Sequence, residues 1–287
     1  MERIKEMANH IPALLGETLR GLNFKKNSLV IDATADGGGH ARAILAELGP
    51  AGKLIGIDWD REMLERLREE LKGERRLKLF HLNFSEIEKV AGSRRPDAIL
   101  FDLGLSSLQL SASGRGFSFQ TDEPLEMTFD RETHPNVREL LRKISERELE
   151  DIIRTYGEEP FAQKISRAIV AARGRKEISS AKELTEIIAK VRPRLGRLHP
   201  ATKTFQALRI YVNQELENLK KGLGGAWKII KPGGRIAVIS YHSLEDRIVK
   251  NFCREKGRAG KPIRPSREEI LKNPRARSAK LRIIEKK

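Results

Sequence analysis

Residues 29 to 40 read Leu-Val-Ile-Asp-Ala-Thr-Ala-Asp-Gly-Gly-Gly-His, and Asp58 closes the next apolar run. An apolar strand that runs into a glycine triplet, with a helix behind it, builds a ligand site. Residues without a Cβ let the backbone approach a ligand closely and take positive φ. The helix start then offers unpaired N–H groups to an anionic group. An acid roughly twenty residues further on, at the tip of the second strand, is placed to hold a ribose diol. The pattern predicts a cofactor that carries a ribose and an anionic group, which leaves two common candidates, a dinucleotide and S-adenosylmethionine.

The dinucleotide fingerprint G-x-G-x-x-G fails. Counted from Gly37, its third glycine falls on Arg42. Asp32, at the end of the first strand, adds an acid close to the cleft. That suits a ligand with an ammonium and a sulfonium better than a pyrophosphate. The reading is therefore S-adenosylmethionine, with Gly38, Gly39 and Asp58 among its contacts.

Ligands of open α/β sheets sit outside the carboxyl ends of the strands. Besides Asp32 and Asp58, those ends carry Asn83-Phe84 after the third strand, Asp102-Leu-Gly-Leu-Ser-Ser107 after the fourth and Ser240-Tyr-His-Ser-Leu-Glu-Asp246 after the fifth. Phe84 is placed to cover an adenine face, although a phenylalanine after a strand is more often core. Asp102 stands where the fourth strand meets the reaction zone; its structural alternative is to cap the turn before Gly104. The hydrogen-bond acceptors at the fourth and fifth strand ends, Asp102, Ser106, His242 and Glu245, are the candidate catalytic residues.

These groups need a scaffold. Apolar runs predict strands over 28–33, 53–58, 77–82, 98–103, 235–241 and 280–285, and helical spacing predicts helices over 39–48 and 61–71. Strands alternating with helices at this spacing make a mostly parallel, twisted sheet with right-handed crossovers. From about Ser111 to Thr204 the strand rhythm stops, and helical periodicity covers 137–156, 162–173 and 181–191. A helix over 205–219 leads into the strand at Arg235 and is assigned to the α/β part. The expected organisation is a Rossmann-like α/β domain (1–110 and 205–287) interrupted by an all-helical insertion (111–204). Gly257 to Pro274, polar and basic, reads as a loop.

Composition narrows the partners. The 287 residues carry a net charge of +16, with 33% charged and only 5% aromatic residues. Arg247 to Lys287 holds 15 Lys and Arg against 4 Asp and Glu, a surplus of 11, whereas Ser111 to Thr204 has a surplus of 3. A basic stretch so localised is the footprint of a polyanion, with nucleic acid the first candidate. Arg192, Arg194, Arg197 and Lys203 extend that track if they face solvent. A single cysteine, Cys253, excludes an internal disulfide and a cysteine-based zinc site. The chain has no 18-residue apolar run and no signal-peptide apolar region near its first residues, so a cytoplasmic setting is expected. No metal-ligand spacing is present.

Several long motifs resemble a known family. These are His10-Ile-Pro-Ala-Leu-Leu15, Asp32 through His40, Asp102 through Gln109, Arg115-Gly-Phe-Ser-Phe119, Tyr156-Gly-Glu-Glu159, His199 through Ile210, Ser240 through Lys250 and Asn273 through Arg282. Together they are similar to the bacterial S-adenosylmethionine-dependent methyltransferases that act on N4 of a cytosine in small-subunit (16S) ribosomal RNA. The resemblance covers nearly the whole chain. It implies a class I methyltransferase domain, 16S ribosomal RNA as partner in the small ribosomal subunit near the decoding site, and cofactor contacts at Gly38, Gly39, His40, Asp58, Phe84, Asp102 and Gln109. His40 and Gln109 rest on the resemblance alone. The chain departs from the family at Asp36, where glycine is usual, at Ala35, where a larger residue is common, and at Glu126 and Thr128, where the family has Asp and Arg. Aspartate tolerates the left-handed region better than most residues, but a carboxylate at 36 would repel the cofactor's own carboxylate. The competing readings are a nicotinamide oxidoreductase, a non-catalytic RNA-binding or ribosome-assembly factor on the same fold, and a methyltransferase for DNA or a small molecule.

Overall fold

A computed structural model of the chain describes residues 12–92, 94–194, 196, 198–257 and 260–287. His10 and Arg197, both singled out above, lie outside the described residues. The chain divides into two compact units, Met1–Gly104 with Leu216–Lys287, and Leu105–Glu215.

In the first unit, β1 (Leu29–Asp32), β2 (Lys53–Asp58), β3 (Leu77–His81), β4 (Ala98–Asp102), β5 (Arg235–Ser240) and β6 (Lys280–Glu285) form one sheet in the order β3-β2-β1-β4-β5-β6. The first five strands pair in parallel and β6 runs antiparallel to β5. Strands covered on both faces read as continuous apolar runs. Accordingly all four residues of β1 are buried, and so are the first four of β4. Asp32 is in register with Gly56 on one side and Leu100 on the other, so the carboxyl ends of β1, β2 and β4 share one edge. Strand order reverses between β1 and β4, which opens the crevice where such sheets bind ligands. This is the Rossmann-like α/β fold expected from the sequence.

Helices α1 (Leu15–Leu22), α2 (Gly39–Glu47) and α3 (Arg61–Glu70) belong to the same unit. Asp60 caps α3, its carboxylate accepting from the amides of Glu62 and Met63, while Met63, Leu64 and Leu67 are buried. Gly38 precedes α2 at φ 79°, and a Cβ there would lie 2.3 Å from a Leu67 methyl. The glycine thus serves the turn and the packing of α3 together.

The second unit contains α4 (Ser107–Ala112), α5 (Val137–Lys143), α6 (Glu146–Gly157), α7 (Ala162–Arg173), α8 (Ala181–Val191) and α9 (Thr202–Val212). Leu149, Ile153, Ile165, Leu184, Ile188 and Leu208 are among the residues that form its core. Helices this short are marginal alone, and packing of their apolar faces holds them.

Three expectations need correction here. First, the helical unit is wider than 111–204. Phe205, Leu208 and Val212 of α9 join the helical core, so α9 belongs to the insertion and not to the sheet domain. Second, residues 137–156 form two helices. Ile144 is extended, and Ser145 starts α6 with a reciprocal cap in which its hydroxyl accepts from the Glu148 amide (3.2 Å) and Glu148 accepts from the Ser145 amide (3.0 Å). Third, 205–219 is not continuous. The chain turns at Gln214 (φ 51°) before α10 (Glu215–Ile229).

Asn213 explains that break. Its fully buried side chain donates to the carbonyls of Met127 (2.7 Å) and Arg209 (2.9 Å) and accepts from the Phe129 amide (3.0 Å). Met127 has positive φ, so its loop depends on such side-chain bonds. Asn213→Ala is expected to destabilise the protein by about 2–3 kcal/mol, because it strands buried backbone groups. A shift of the urea midpoint at constant m-value checks it.

The remaining α-helices of the first unit among the described residues are α11 (Ser243–Lys256) and α12 (Arg267–Lys272). The predicted loop over 257–274 thus contains a helix. Ser266 caps α12, and Ile263 bridges Leu281 of β6.

Candidate active site

Five polar side chains gather at the switch between β1 and β4. Asp102 ends β4, and its backbone N–H donates to the Thr34 hydroxyl (2.7 Å). The Tyr241 hydroxyl donates to Asp102 Oδ1 (2.9 Å), and His40 Nδ1 stands 3.3 Å from Asp102 Oδ2. Asp32 lies beneath them, fully buried, accepting from the Thr34 amide (3.2 Å). The His40 side chain is 5% exposed and that of Asp102 is 19% exposed, so within this pair the aspartate carries the open edge.

The electrostatics follow from that layering. Burial pushes the Asp32 carboxyl up to about 7, opposed by the charge of His40 and the Thr34 amide. Burial works against a charged His40 ring, but the hydrogen bond that the ring donates to Asp102 and the charges of Asp102 and Asp32 outweigh it and raise the pKa above its ordinary value. Burial and the neighbouring charge of Asp102 lift the Tyr241 phenol well above its usual value, so it stays a donor. Asp32 is too deep to meet a ligand's ammonium directly. Its charge is coupled to that of His40.

At the end of β2, the two oxygens of half-buried Asp58 accept from the amides of Asp36 (2.7 Å) and Asp60 (2.8 Å). The acid therefore ties the glycine loop to the turn after β2, and each oxygen keeps a second lone pair for a hydroxyl donor. Burial, with like charge from Asp36 and Asp60, pushes this carboxyl up to about 8. Asp36 adopts φ 41°, the left-handed region expected at a family glycine position. Gly38 gives α2 a start with no side-chain cap, leaving first-turn amides for an anionic group. A Cβ on Gly39 would lie 2.4 Å from Pro12, so that glycine serves packing as well.

Other expected contacts have structural tasks. The Phe84 ring packs edge-on against Phe101 (5.7 Å), and a Cβ on Gly222 would lie 2.8 Å from it. His40 turns toward Asp102 rather than standing free at the start of α2. His242 and Glu245 form the cap of α11. The His242 ring accepts from the Glu245 amide (3.4 Å), and Glu245 Oε2 accepts from the amides of Tyr241 (2.8 Å) and His242 (3.4 Å). Both residues thus have a capping role at α11, and His242 Nε2 is 3.1 Å from Glu245 Oε1. Ser106 and Gln109 lie in the helical unit and form another such cap at α4, amide to side chain in both directions (3.0 and 3.1 Å).

The residue that sequence reasoning missed is Tyr241. It sat inside a quoted motif, but nothing in its spacing pointed to Asp102.

The donors present fit S-adenosylmethionine. Asp58 suits the ribose hydroxyls, the uncapped start of α2 suits a carboxylate, and the partly open Asp102 carboxylate suits a ligand with cationic centres. Fold and site together define a Rossmann-like methyltransferase that uses S-adenosylmethionine. The chain belongs to the MraW methylase family, which matches residues 7–287. It is 46% identical to the "Ribosomal RNA small subunit methyltransferase H" of Persephonella marina, over 98% of this chain and 100% of that protein. Proteins of the same name from Nitrosococcus oceani (41% identity, 98% of each chain) and Stenotrophomonas maltophilia (40% identity, 98% of this chain and 94% of that one) are similar over comparable lengths.

No helix among the described residues is long and apolar enough to cross a membrane.

Proposed function

We propose that this enzyme methylates N4 of a cytosine in small-subunit (16S) ribosomal RNA near the decoding site. The observation that carries the chemistry is the Asp102 carboxylate, partly open at the switch point and engaged on both oxygens from the protein side. An exocyclic cytosine amine is a weak nucleophile because its lone pair is delocalised into the ring. S-adenosylmethionine supplies an electrophilic methyl group on a sulfonium. Asp102 accepts an N–H of the amine, orients the lone pair, and takes the proton that N4 sheds as its bond to carbon forms and the carbon–sulfur bond breaks. Asp58 and the amides of the α2 start hold the cofactor.

The RNA assignment is supported by the names of the relatives and by exposed charge. Arg264, Arg267, Arg275 and Arg277 are exposed, with no acid partner among the described residues. Lys280 and Arg282 are committed elsewhere, both to Asp246 (2.8 Å each). In the helical unit Arg192 is buried against Glu159 (3.1 Å) and Lys203 donates to the Glu158 carbonyl, so of the expected track there only Arg194 is exposed among the described residues. The C-terminal arginines are the phosphate contacts in this reading. Replacing all four by glutamine should flatten the salt dependence of RNA binding by about three units of log Kd per log salt, measured by filter binding from 50 to 200 mM salt.

The deciding experiment incubates the enzyme with methyl-labelled S-adenosylmethionine and small ribosomal subunits from cells lacking the modification. Label on N4 of one cytosine is expected. Absence of label with cofactor binding intact overturns the substrate assignment. Absence of both favours a non-catalytic assembly factor on this fold.

A further inference from the structure

We propose that Tyr241 is a positioning residue for methyl transfer: its hydroxyl fixes the plane of the Asp102 carboxylate so that the carboxylate's open edge keeps one orientation. The inference rests on the reading that Asp102 accepts the amine. A carboxylate on a short side chain turns about a broad, two-fold torsion. One hydrogen bond leaves that rotation free, whereas partners on different oxygens fix it. Tyr241 holds Oδ1 at 2.9 Å and His40 stands at 3.3 Å from Oδ2.

Tyr241 is itself held at three points. Its backbone N–H donates to Glu245 Oε2 (2.8 Å), its ring packs over Gly104, and its hydroxyl meets Asp102. Gly104 has φ 101°, and a Cβ there would stand 3.2 Å from the Tyr241 ring. The glycine of the Asp102-Leu-Gly segment therefore makes room for the tyrosine that steadies the aspartate. The cap formed by His242 and Glu245 acquires a role in the same chain of contacts, since Glu245 anchors the Tyr241 backbone. Only the hydroxyl reaches Asp102, and the phenol remains protonated because burial and the Asp102 charge oppose its ionisation.

Tyr241→Phe keeps the ring and removes the hydroxyl. It should lower kcat about tenfold, the scale of one hydrogen bond to a charged group, while KM for the subunit, Kd for S-adenosylmethionine and the thermal midpoint stay near wild type. A purely structural tyrosine would move Kd or the midpoint and leave kcat of the bound enzyme within twofold; that result overturns the proposal. Asp102→Asn measured alongside separates the two ideas. Turnover lost in Asp102→Asn but kept in Tyr241→Phe removes the positioning role alone. Turnover kept in Asp102→Asn removes the acceptor reading beneath it. In the double variant, Tyr241→Phe should add no further loss, because its effect runs through Asp102.

Discussion

Asp102→Ala is expected to cut single-turnover methyl transfer by about a thousandfold or more, with S-adenosylmethionine still bound. Losing an acceptor that acts only as charge and geometry change in the transition state costs on the order of 10²–10⁴ in rate. The backbone of β4 should hold, because the Asp102 amide bonds to Thr34 through the main chain and pairs through β4 with β5. The side chain also neutralises buried His40, so the alanine variant leaves that ring without its closest acid. Asp102→Asn is the cleaner comparison, since it keeps the shape and an acceptor oxygen for Tyr241. Transfer within twofold of wild type in both variants would reject Asp102 as the acceptor. Loss of cofactor binding in step with rate would reassign it to the cofactor site.

Much of this fold was readable from the chain, and the failures have physical causes. β2 and β6 fall where the apolar runs place them, and α7 and α8 begin and end at the predicted residues. Those elements are periodic and end at strong punctuation. The insertion boundary was misplaced because the apolar face of α9 has the same spacing whichever core it joins. The α9 to α10 break depends on Asn213 reaching Met127, 86 positions away, which no local pattern reports. Tyr241 and Asp102 are separated by 139 positions, and a tyrosine after a strand gives no hint of that contact. The roles of His242 and Glu245 were legible in principle. A side-chain acceptor followed three residues later by glutamate is the pattern of a reciprocal cap, as at Ser145 and Glu148. Histidine in the first position disguised the second instance. Asp36 was correctly expected in the left-handed region, but its charge is felt by Asp58 rather than by the ligand alone.

That last point leads to a large pH effect on cofactor binding. Asp58 carries a pKa of about 8 because it is shielded from water and faced by Asp36 and Asp60. A ribose diol donates hydrogen bonds, so it binds the ionised carboxylate better than the protonated one. Below the pKa the carboxyl must release a proton to bind. Affinity for S-adenosylmethionine should therefore rise with pH and level off above about 8, gaining up to about a hundredfold from pH 6 to pH 9 when only the ionised form binds. Titration calorimetry in buffers of different ionisation enthalpy should show proton release at pH 7. The ligand's own ammonium titrates at about 8 as well, and Asp58→Asn distinguishes the two, since it removes only the protein's step. Asp36→Asn should lower the midpoint and tighten binding at pH 7, because it deletes the nearest like charge while asparagine still tolerates positive φ. A midpoint unchanged in Asp36→Asn would mean that burial alone sets the Asp58 titration, and that the aspartate at the family's glycine position does not tune cofactor affinity through its neighbour.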